Sequence, residues 1–321
     1  MSLTAHRGAF LGRVAKLSAS RLRARRLFRT FAWPILFLSP WLVGLFGLIV
    51  LPMGLSLYYS FTNFNIIRPP IGIGTSNYTQ LFSDPTFIQS TENHLYLVVV
   101  MVPLGLLAAL LFAVLLNQPV RGIRVFRTAL FLPSLVPPVA GSLLWMWMLN
   151  PEYGLVNSAL ALFHITGPLW LFSVHWSKPA LVLMQIWSSG GAMIIFLAGL
   201  QGVPRSQLEA ALLDGARAWQ RFRHVTLPAI SPVLLFNMIM GILAALQYFT
   251  QAYIMGSGST GTAGVAGSLE FYTVYLFQLA FGNLEMGYAS AMAWLMFIIA
   301  GCITTLLFLS AKYWVHYEGW K

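Results

Sequence analysis

A polar segment of the chain, residues 204–232, reads Pro204-Arg-Ser-Gln-Leu-Glu-Ala-Ala-Leu-Leu-Asp-Gly-Ala-Arg-Ala-Trp-Gln-Arg-Phe-Arg-His-Val-Thr-Leu-Pro-Ala-Ile-Ser-Pro232, between two very apolar stretches. Ser206 and Glu209 have the S-x-x-E spacing of a capping box, which predicts a helix start. Gly215 is placed to end that helix, because glycine adopts a positive φ without a Cβ penalty. The pattern predicts two short helices joined at a glycine, between two membrane-spanning segments.

The second predicted helix of the polar segment has two different sides. Trp219 and Phe222 fall on one side, and the other side is basic, with Arg217, Arg221 and His224. Such a segment can lie on lipid headgroups with its arginines toward phosphate, or it can form a compact surface that another protein binds. Physical chemistry alone leaves both interpretations open.

The composition of the chain is that of an integral membrane protein. Of its 321 residues, 58% are hydrophobic and 8% are charged, whereas about a quarter of the residues of a soluble domain are charged. Six apolar segments are long enough to cross a bilayer, which takes about 20 residues of helix: residues 32–60, 95–117, 128–150, 179–202, 229–254 and 288–312. We therefore predict an all-α membrane protein with six transmembrane helices.

The basic residues predict how the chain is oriented. If the N-terminus is cytoplasmic, all but two of the 19 Lys and Arg residues lie on the cytoplasmic side, the exceptions being Arg68 and Lys178. This asymmetry follows the positive-inside rule, so the net charge of +11 reflects topology and does not indicate nucleic acid binding. We predict a basic cytoplasmic tail over residues 1–30, a six-span domain over residues 31–321, and a cytoplasmic C-terminus.

Neutral polar and small residues mark a candidate path through the membrane. The six predicted segments carry no ionisable residue in their interior, which disfavours an ion-coupled carrier. An unpaired buried amide costs about 2–7 kcal/mol, so polar side chains in a span need a partner or a wet cavity. The fourth and fifth segments carry the candidates: Gln185, Trp187, Ser188, Gly191, Asn237, Gly241, Gln247, Tyr248 and Gln251. Each one alone can instead bond to a neighbouring helix; together they suit a small neutral carbohydrate.

Proline predicts a bend in the third apolar segment. Pro133, Pro137 and Pro138 each remove a helical hydrogen bond. We therefore expect this helix to be kinked near its middle.

The sequence offers no site for chemistry of its own. It has a single cysteine, Cys302, no histidine pair at i and i+4, and no paired carboxylates or activated nucleophile near a membrane face. The glycine-rich residues 256–267 lack the Gly-Lys-[Ser/Thr] ending of a phosphate-binding loop. We predict no catalytic residue, no metal site and no ATP site, which disfavours a membrane-bound enzyme.

Several runs of residues resemble a known family. Glu209-Ala210-Ala211, Asp214-Gly215-Ala216 and Leu227-Pro228 resemble the EAA loop of bacterial ABC-importer permeases, here residues 203–228. Residues 126–133, 145–157 and 286–294 resemble the carbohydrate-uptake branch, and Asn150-Pro-Glu-Tyr-Gly-Leu-Val-Asn157 is similar to the F-like maltose permease. The chain lacks the extra N-terminal spans and large periplasmic domain of the maltose protein, so maltose is not carried over as its cargo.

The resemblance implies a permease subunit with the type I ABC importer fold in a bacterial cytoplasmic membrane. Its partners would be a second, G-like permease, two ATP-binding cassette subunits that hold ATP and Mg²⁺, and an extracytoplasmic solute-binding protein. The EAA loop would be the coupling contact to the ATPase, through Glu209, Ala210, Ala211, Asp214, Gly215, Ala216, Leu227 and Pro228. The alternative is a stand-alone ion-coupled secondary carrier or channel, which would need no such partners.

Overall fold

The computed structural model describes residues 34–256 and 263–316 of the chain. The predicted tail, residues 1–30, lies outside the described residues, and so does part of the glycine-rich stretch 256–267. The chain divides into two compact units, Met1–Tyr58 and Tyr59–Lys321. In the described residues the regular structure is helical, apart from the isolated β-bridges Thr62–Gly72 and Asn65–Arg68.

Six helical segments are long and apolar enough to cross a membrane, when each of two bent helix pairs is counted as one. We call them spans 1 to 6: Pro34–Ser60, Pro85–Leu116, Ile123–Leu135 with Pro138–Met148, Ser177–Trp187 with Gly190–Gln201, Ser231–Gly256, and Met286–Trp314. Short helices lie between them: Ser76–Leu81, Leu155–Ala161, Arg205–Leu213, Ala218–Arg221 and Tyr272–Phe277. The all-α fold class and the count of six are confirmed.

Span 2 begins earlier than predicted, at Pro85 and not at residue 95. The side chain of Asp84 caps this helix by accepting a hydrogen bond from the Thr86 N–H at 2.9 Å. Glu92 and His94 therefore lie within the helix, and His94 is only 3% exposed, beside the rings of Phe271 and Tyr272. The predicted segment 95–117 itself carries no Asp, Glu, Lys, Arg or His, and Glu92 and His94 precede it on the same helix. The first turns of this helix are rich in polar residues, so the search for apolar segments did not include them.

Spans 3 and 4 are bent where helical hydrogen bonds are lost. The two halves of span 3 meet at 101°, next to Pro137 and Pro138, which confirms the predicted kink. The two halves of span 4 meet at 48°. Gly190 lies at this bend, and a Cβ there would come 2.5 Å from the Leu130 carbonyl oxygen of span 3. Glycine is required at this crossing because the two backbones approach so closely.

Small residues bring spans 2 and 4 together. Ala109 and Ala113 of span 2 are fully buried, in one apolar cluster with Met193 and Phe196 of span 4. Ile230, at the entry to span 5, belongs to the same cluster. Close helix contact through small residues is typical of membrane bundles. The cluster fixes spans 2, 4 and 5 relative to one another.

Asp84 joins three elements at the opposite end of span 2. It accepts hydrogen bonds from the hydroxyls of Tyr275 and Tyr288, at 2.6 and 3.0 Å. Burial alone would raise the pKa of Asp84, but these two bonds and the backbone N–H groups of the cap outweigh it and lower that pKa. The ionised carboxylate therefore ties span 2 to span 6 and to the short helix Tyr272–Phe277.

Glu270 is a buried carboxyl in the connection between spans 5 and 6. It is 1% exposed, and its Oε2 accepts hydrogen bonds from the Ala263 N–H at 2.6 Å and from Gln278 Nε2 at 3.4 Å. Its Oε1 has no partner among the described residues. Burial raises the pKa of Glu270, and the two hydrogen bonds oppose this only in part. In the folded protein this group therefore holds its proton to a higher pH than in the unfolded chain.

The raised pKa of Glu270 predicts how stability depends on pH. An unfolded glutamic acid ionises at a pKa of about 4.3. Above that pH the folded state binds more protons than the unfolded state, so this group's contribution to stability falls as the pH rises through the folded pKa. Glu270→Gln should remove this loss, so its melting temperature should fall less than that of the wild type between about pH 5 and pH 8.

The matched control for that experiment is Glu285→Gln, since Glu285 is an exposed carboxylate in the same connection. Thermal unfolding of both variants in lipid nanodiscs measures the effect. If the melting temperatures of Glu270→Gln and of the wild type decrease by the same amount over this pH range, the pKa of Glu270 is not raised in the folded protein.

Candidate functional site

A cavity of about 610 Å³ lies among spans 2, 4 and 5, with Pro138 of span 3 at its edge. Its size is within the range of ligand pockets, about 300–1,000 Å³. No Asp, Glu, Lys, Arg or His lines it. Six of the predicted path residues line this cavity: Gln185, Asn237, Gly241, Gln247, Tyr248 and Gln251.

Three other predicted path residues do not line the cavity. The ring of Trp187 packs edge-on against Trp145, with the centroids 5.8 Å apart. The Ser188 hydroxyl donates a hydrogen bond to the carbonyl oxygen of Gln185 at 3.2 Å. Gly191 does not line the cavity either. They are sequence neighbours of wall residues but lie on other faces of span 4.

Sequence reasoning missed other lining residues, among them Gly105, Ser189 and Thr250. A Cβ at Gly105 of span 2 would lie 3.4 Å from Cγ of Gln185, so this glycine gives the glutamine its room. An isolated glycine inside an apolar helix was the available signal for this close approach.

The amide groups on the wall have free hydrogen-bonding capacity. The side chains of Gln185, Gln247 and Gln251 make no hydrogen bond to the part of the chain that the structure describes. Asn237 uses its Nδ2 to donate to the Val233 carbonyl oxygen at 3.0 Å, which leaves its Oδ1 available. Each free amide offers both donors and an acceptor. The cavity can therefore hydrogen-bond to a ligand rich in hydroxyl groups.

Span 5 is interrupted beside the cavity. Its helical pattern stops after Leu246 and resumes at Thr250. The carbonyl oxygen of Tyr248, within the break, accepts a hydrogen bond from the Thr273 hydroxyl at 2.6 Å. Gln247 and Tyr248 in the break and Gln251 just after it all line the cavity.

The polar segment forms the predicted pair of helices, although its first helix begins differently. That helix is Arg205–Leu213, with Pro204 at the N-cap and no side-chain cap. The capping box predicted for Ser206 and Glu209 is therefore wrong, because Ser206 already lies inside the helix and proline supplies the entry conformation.

Gly215 ends this helix as predicted. Its φ is +75°, in the left-handed region. The Gly215 N–H donates to the Leu212 carbonyl oxygen at 3.1 Å, and the Ala216 N–H donates to the Ala211 carbonyl oxygen at 3.0 Å. These two bonds form a Schellman motif, which satisfies the last carbonyl groups of the helix.

The second helix starts at Ala218 and continues through a π-helical turn, Phe222–Thr226, into Leu227–Ala229. Gln220 caps its start, as its Oε1 accepts the Arg217 N–H at 2.8 Å. The rings of Trp219 and Phe222 stack with their centroids 5.7 Å apart, so they share one side as predicted. The second helix leads directly into span 5.

Exposure divides the predicted coupling residues into a tip and a base. Glu209, Ala210, Asp214 and Gly215 are exposed at the tip, and Ala211 and Ala216 are half-buried beside them. Leu227 and Pro228 are half-buried at the base, where Leu227 packs against the cluster that contains Ile230. The tip also exposes apolar side chains that sequence reasoning did not single out: Leu212, Trp219 and Leu213, which is 90% exposed.

The sequence model of one protein family matches residues 101–317, more than half of the chain. That family is described as the inner membrane component of binding-protein-dependent transport systems. The chain belongs to this family. It is thus a multi-pass membrane permease of an ABC transporter, a transport subunit and not an enzyme, as the resemblance implied.

Curated relatives of the permease are similar over most of their length. It is 41% identical over 286 residues to the probable ABC transporter permease protein YesP of Bacillus subtilis, covering 88% of this chain and 91% of YesP. It is 34% identical over 275 residues to the sulfoquinovosyl glycerol transport system permease protein SmoG of Agrobacterium fabrum, covering 85% and 88%. It is 34% identical over 244 residues to the lactose transport system permease protein LacF of Rhizobium radiobacter, covering 74% and 80%.

A solved structure confirms the fold of the permease. A chain of a bacterial ABC transporter involved in the import of the acidic polysaccharide alginate superposes with a TM-score of 0.77, covering 90% of this chain and 98% of that one. The two sequences are 21% identical. The predicted type I ABC importer permease fold is therefore correct.

Proposed function

We propose that the permease moves a small neutral carbohydrate through the 610 Å³ cavity, driven by ATPase subunits that bind the exposed tip of the polar segment. The observation that carries this proposal is the chemistry of the cavity wall. It offers free amide groups and aromatic rings but no charge, which suits a ligand with many hydroxyl groups and no net charge.

The names of the relatives agree with a carbohydrate cargo. They include permeases for lactose, for sulfoquinovosyl glycerol and, from Pectobacterium atrosepticum, for sn-glycerol 3-phosphate. Lactose is neutral and the other two are anions. A buried anion is costly unless a positive charge pairs with it, and no positively charged side chain lines this cavity among the described residues. Its cavity therefore favours cargo of the neutral kind.

The polar segment is built to pass motion to the cavity. It connects the end of span 4, at Gln201, with the start of span 5, at Ser231, and both spans line the cavity. A partner that binds Gly215 and its neighbours and moves them would therefore also move spans 4 and 5, which line the cavity. In this scheme two ATP-binding cassette subunits hold ATP and Mg²⁺, and closure of the ATPase pair swings the spans from inward-open to outward-open.

The full assembly in this proposal also contains a companion permease and a solute-binding protein. A structural neighbour of this chain was solved in complex with an alginate pentasaccharide-bound periplasmic protein. The surplus of basic residues supports an orientation in which the N- and C-termini and the polar segment are in the cytoplasm, where ATP is available. The binding protein then delivers cargo on the opposite side of the bacterial cytoplasmic membrane.

Gln185 provides a direct test of the cavity. Gln185→Leu keeps a similar volume and removes one amide, so the cargo loses a hydrogen bond worth about 0.5–1.5 kcal/mol. Uptake should show a KM about threefold to tenfold higher, with ATPase binding unchanged. The matched control is Gln201→Leu, since Gln201 is exposed at the end of span 4 and outside the cavity. Equal uptake kinetics in both variants would remove Gln185 from the path.

Reconstitution tests the proposed function as a whole. Proteoliposomes holding both permeases and the ATPase subunits, with ATP inside and the binding protein outside, are supplied with labelled lactose, other neutral oligosaccharides and glycerol 3-phosphate. ATP-dependent uptake of a neutral sugar is the expected result. Uptake by this chain alone under a sodium or proton gradient would establish the stand-alone carrier instead, and uptake of the anion alone would contradict the neutral cargo.

A further inference from the structure

The connection between spans 3 and 4, residues 149–176, exposes an unusual amount of apolar surface. It lies on the membrane side opposite the polar segment, because one span separates them. Leu162 is 80% exposed and Phe163 is 75% exposed. Other large apolar side chains exposed in this connection include Tyr153, Leu155, Ile165, Leu169, Phe172 and Trp176. Apolar surface of this kind is costly in water and marks a surface that something covers.

Internal contacts hold this connection in one shape. Asn157 accepts a hydrogen bond from Trp170 Nε1 at 2.7 Å, and its Nδ2 donates to the carbonyl oxygens of Pro151 and Pro168 at 3.4 and 3.3 Å. Gly167 lies so close to this amide that any Cβ would overlap it. The helix Leu155–Ala161 is also anchored, since Val156 and Leu160 pack against the core. The exposed apolar face is therefore fixed, and it is not the result of a loose loop.

Most of the connection, from Tyr153 onward, is uncharged. Residues 153–177 contain no Asp, Glu, Lys or Arg, and His164 and His175 are their only titratable side chains besides Tyr153. Glu152 and Lys178 stand at its two ends. On the helix, the outward row is Leu155, Ser158, Ala159 and Leu162. A surface that binds a soluble partner reversibly has a polar rim, and residues 153–176 have no Asp, Glu, Lys or Arg to supply one.

We propose that the 149–176 connection lies in the boundary between lipid headgroups and acyl chains, with Leu162 and Phe163 inserted into phospholipid. Both of its ends are ends of membrane spans, so the connection begins and ends at the membrane boundary. Tyr, Trp and Phe are the residues that populate this boundary, and an uncharged helix can enter it without a desolvation cost for ions. The connection thereby holds spans 3 and 4 at a fixed depth.

Site-directed spin labelling in the assembled transporter tests this proposal. The native cysteine is removed by Cys302→Ala, and nitroxide labels are attached to Leu162→Cys and, as a second site on the same face, Ser158→Cys. Collision with oxygen reports on lipid, and collision with a water-soluble nickel chelate reports on water. The controls are Leu111→Cys, exposed on apolar span 2, and Arg68→Cys, exposed in the connection between spans 1 and 2.

We expect both labels to collide readily with oxygen and severalfold less with the nickel chelate than the label at position 68. Nickel accessibility equal to that at position 68 would overturn the proposal, because the face would then be in water. Protection from both reagents, or protection that appears only when the solute-binding protein is added, would also overturn it and would identify a protein as the cover.

Discussion

Gly215→Val should reduce ATP-driven uptake roughly tenfold. Gly215 has a φ of +75°, and a Cβ there would meet no atom within 4 Å, so the cost comes from backbone conformation and not from a clash. A non-glycine residue in this region costs about 1–2 kcal/mol, more when it is β-branched, and about 1.4 kcal/mol is a factor of ten. The cost falls on a small exposed element that few contacts support, so the Schellman turn should open and displace the tip.

Two further variants separate coupling from folding. Gly122 also has a positive φ, +79°, and equally open surroundings, in the turn between spans 2 and 3 on the same membrane side. Gly122→Val should carry the same strain but leave uptake per assembled transporter near the wild-type value. Gly215→Asn should retain more uptake than Gly215→Val, since asparagine tolerates the left-handed region. Uptake, ATPase activity and complex formation measure all three, and normal uptake by Gly215→Val would refute the coupling role of this turn.

Local signals in the sequence were sufficient where the structure depends on backbone chemistry. The kink in span 3 follows from Pro137 and Pro138, and the end of the first polar helix follows from Gly215, whatever packs around them. The capping box failed because Pro204 already sets the entry conformation, so the helix starts before Ser206 can cap it. Competition between two adjacent start signals was not visible in spacing alone.

Tertiary packing decided the parts that sequence patterns could not. Asp84, Glu92 and His94 look like a loop, but Asp84 is held by two tyrosine hydroxyls far away in sequence and caps a helix. Likewise Gln185 reaches the cavity and Trp187 does not, because rotation of span 4 places them on different faces. A single sequence gives the period of a helix but not the identity of the neighbours around it.

Leu213→Asp is expected to have the largest effect on ATPase binding, weakening it about thirtyfold or more. Leu213 is 90% exposed at the end of the helix Arg205–Leu213, next to exposed Leu212. An exposed leucine side chain contributes no free energy of burial to this chain alone. A pocket on the ATPase would bury it and gain that free energy. The central apolar anchors of an interface contribute about 2 kcal/mol or more, and a carboxylate in their place must be desolvated without a partner.

The control for this variant has to share its exposure and its side of the membrane. Val120 is 55% exposed in the turn between spans 2 and 3, so Val120→Asp places the same charge on the same membrane side but away from the polar segment. Binding of purified ATPase subunit to the permease pair in nanodiscs gives the Kd for each variant. Because Leu213 packs against almost nothing in this chain, Leu213→Asp should leave the melting temperature unchanged. A loss of ATPase binding at constant stability would then show that the tip is the docking contact. Equal affinity for Leu213→Asp and Val120→Asp would instead mean that the ATPase binds elsewhere, and the path of force from ATP to spans 4 and 5 would have to begin at another element.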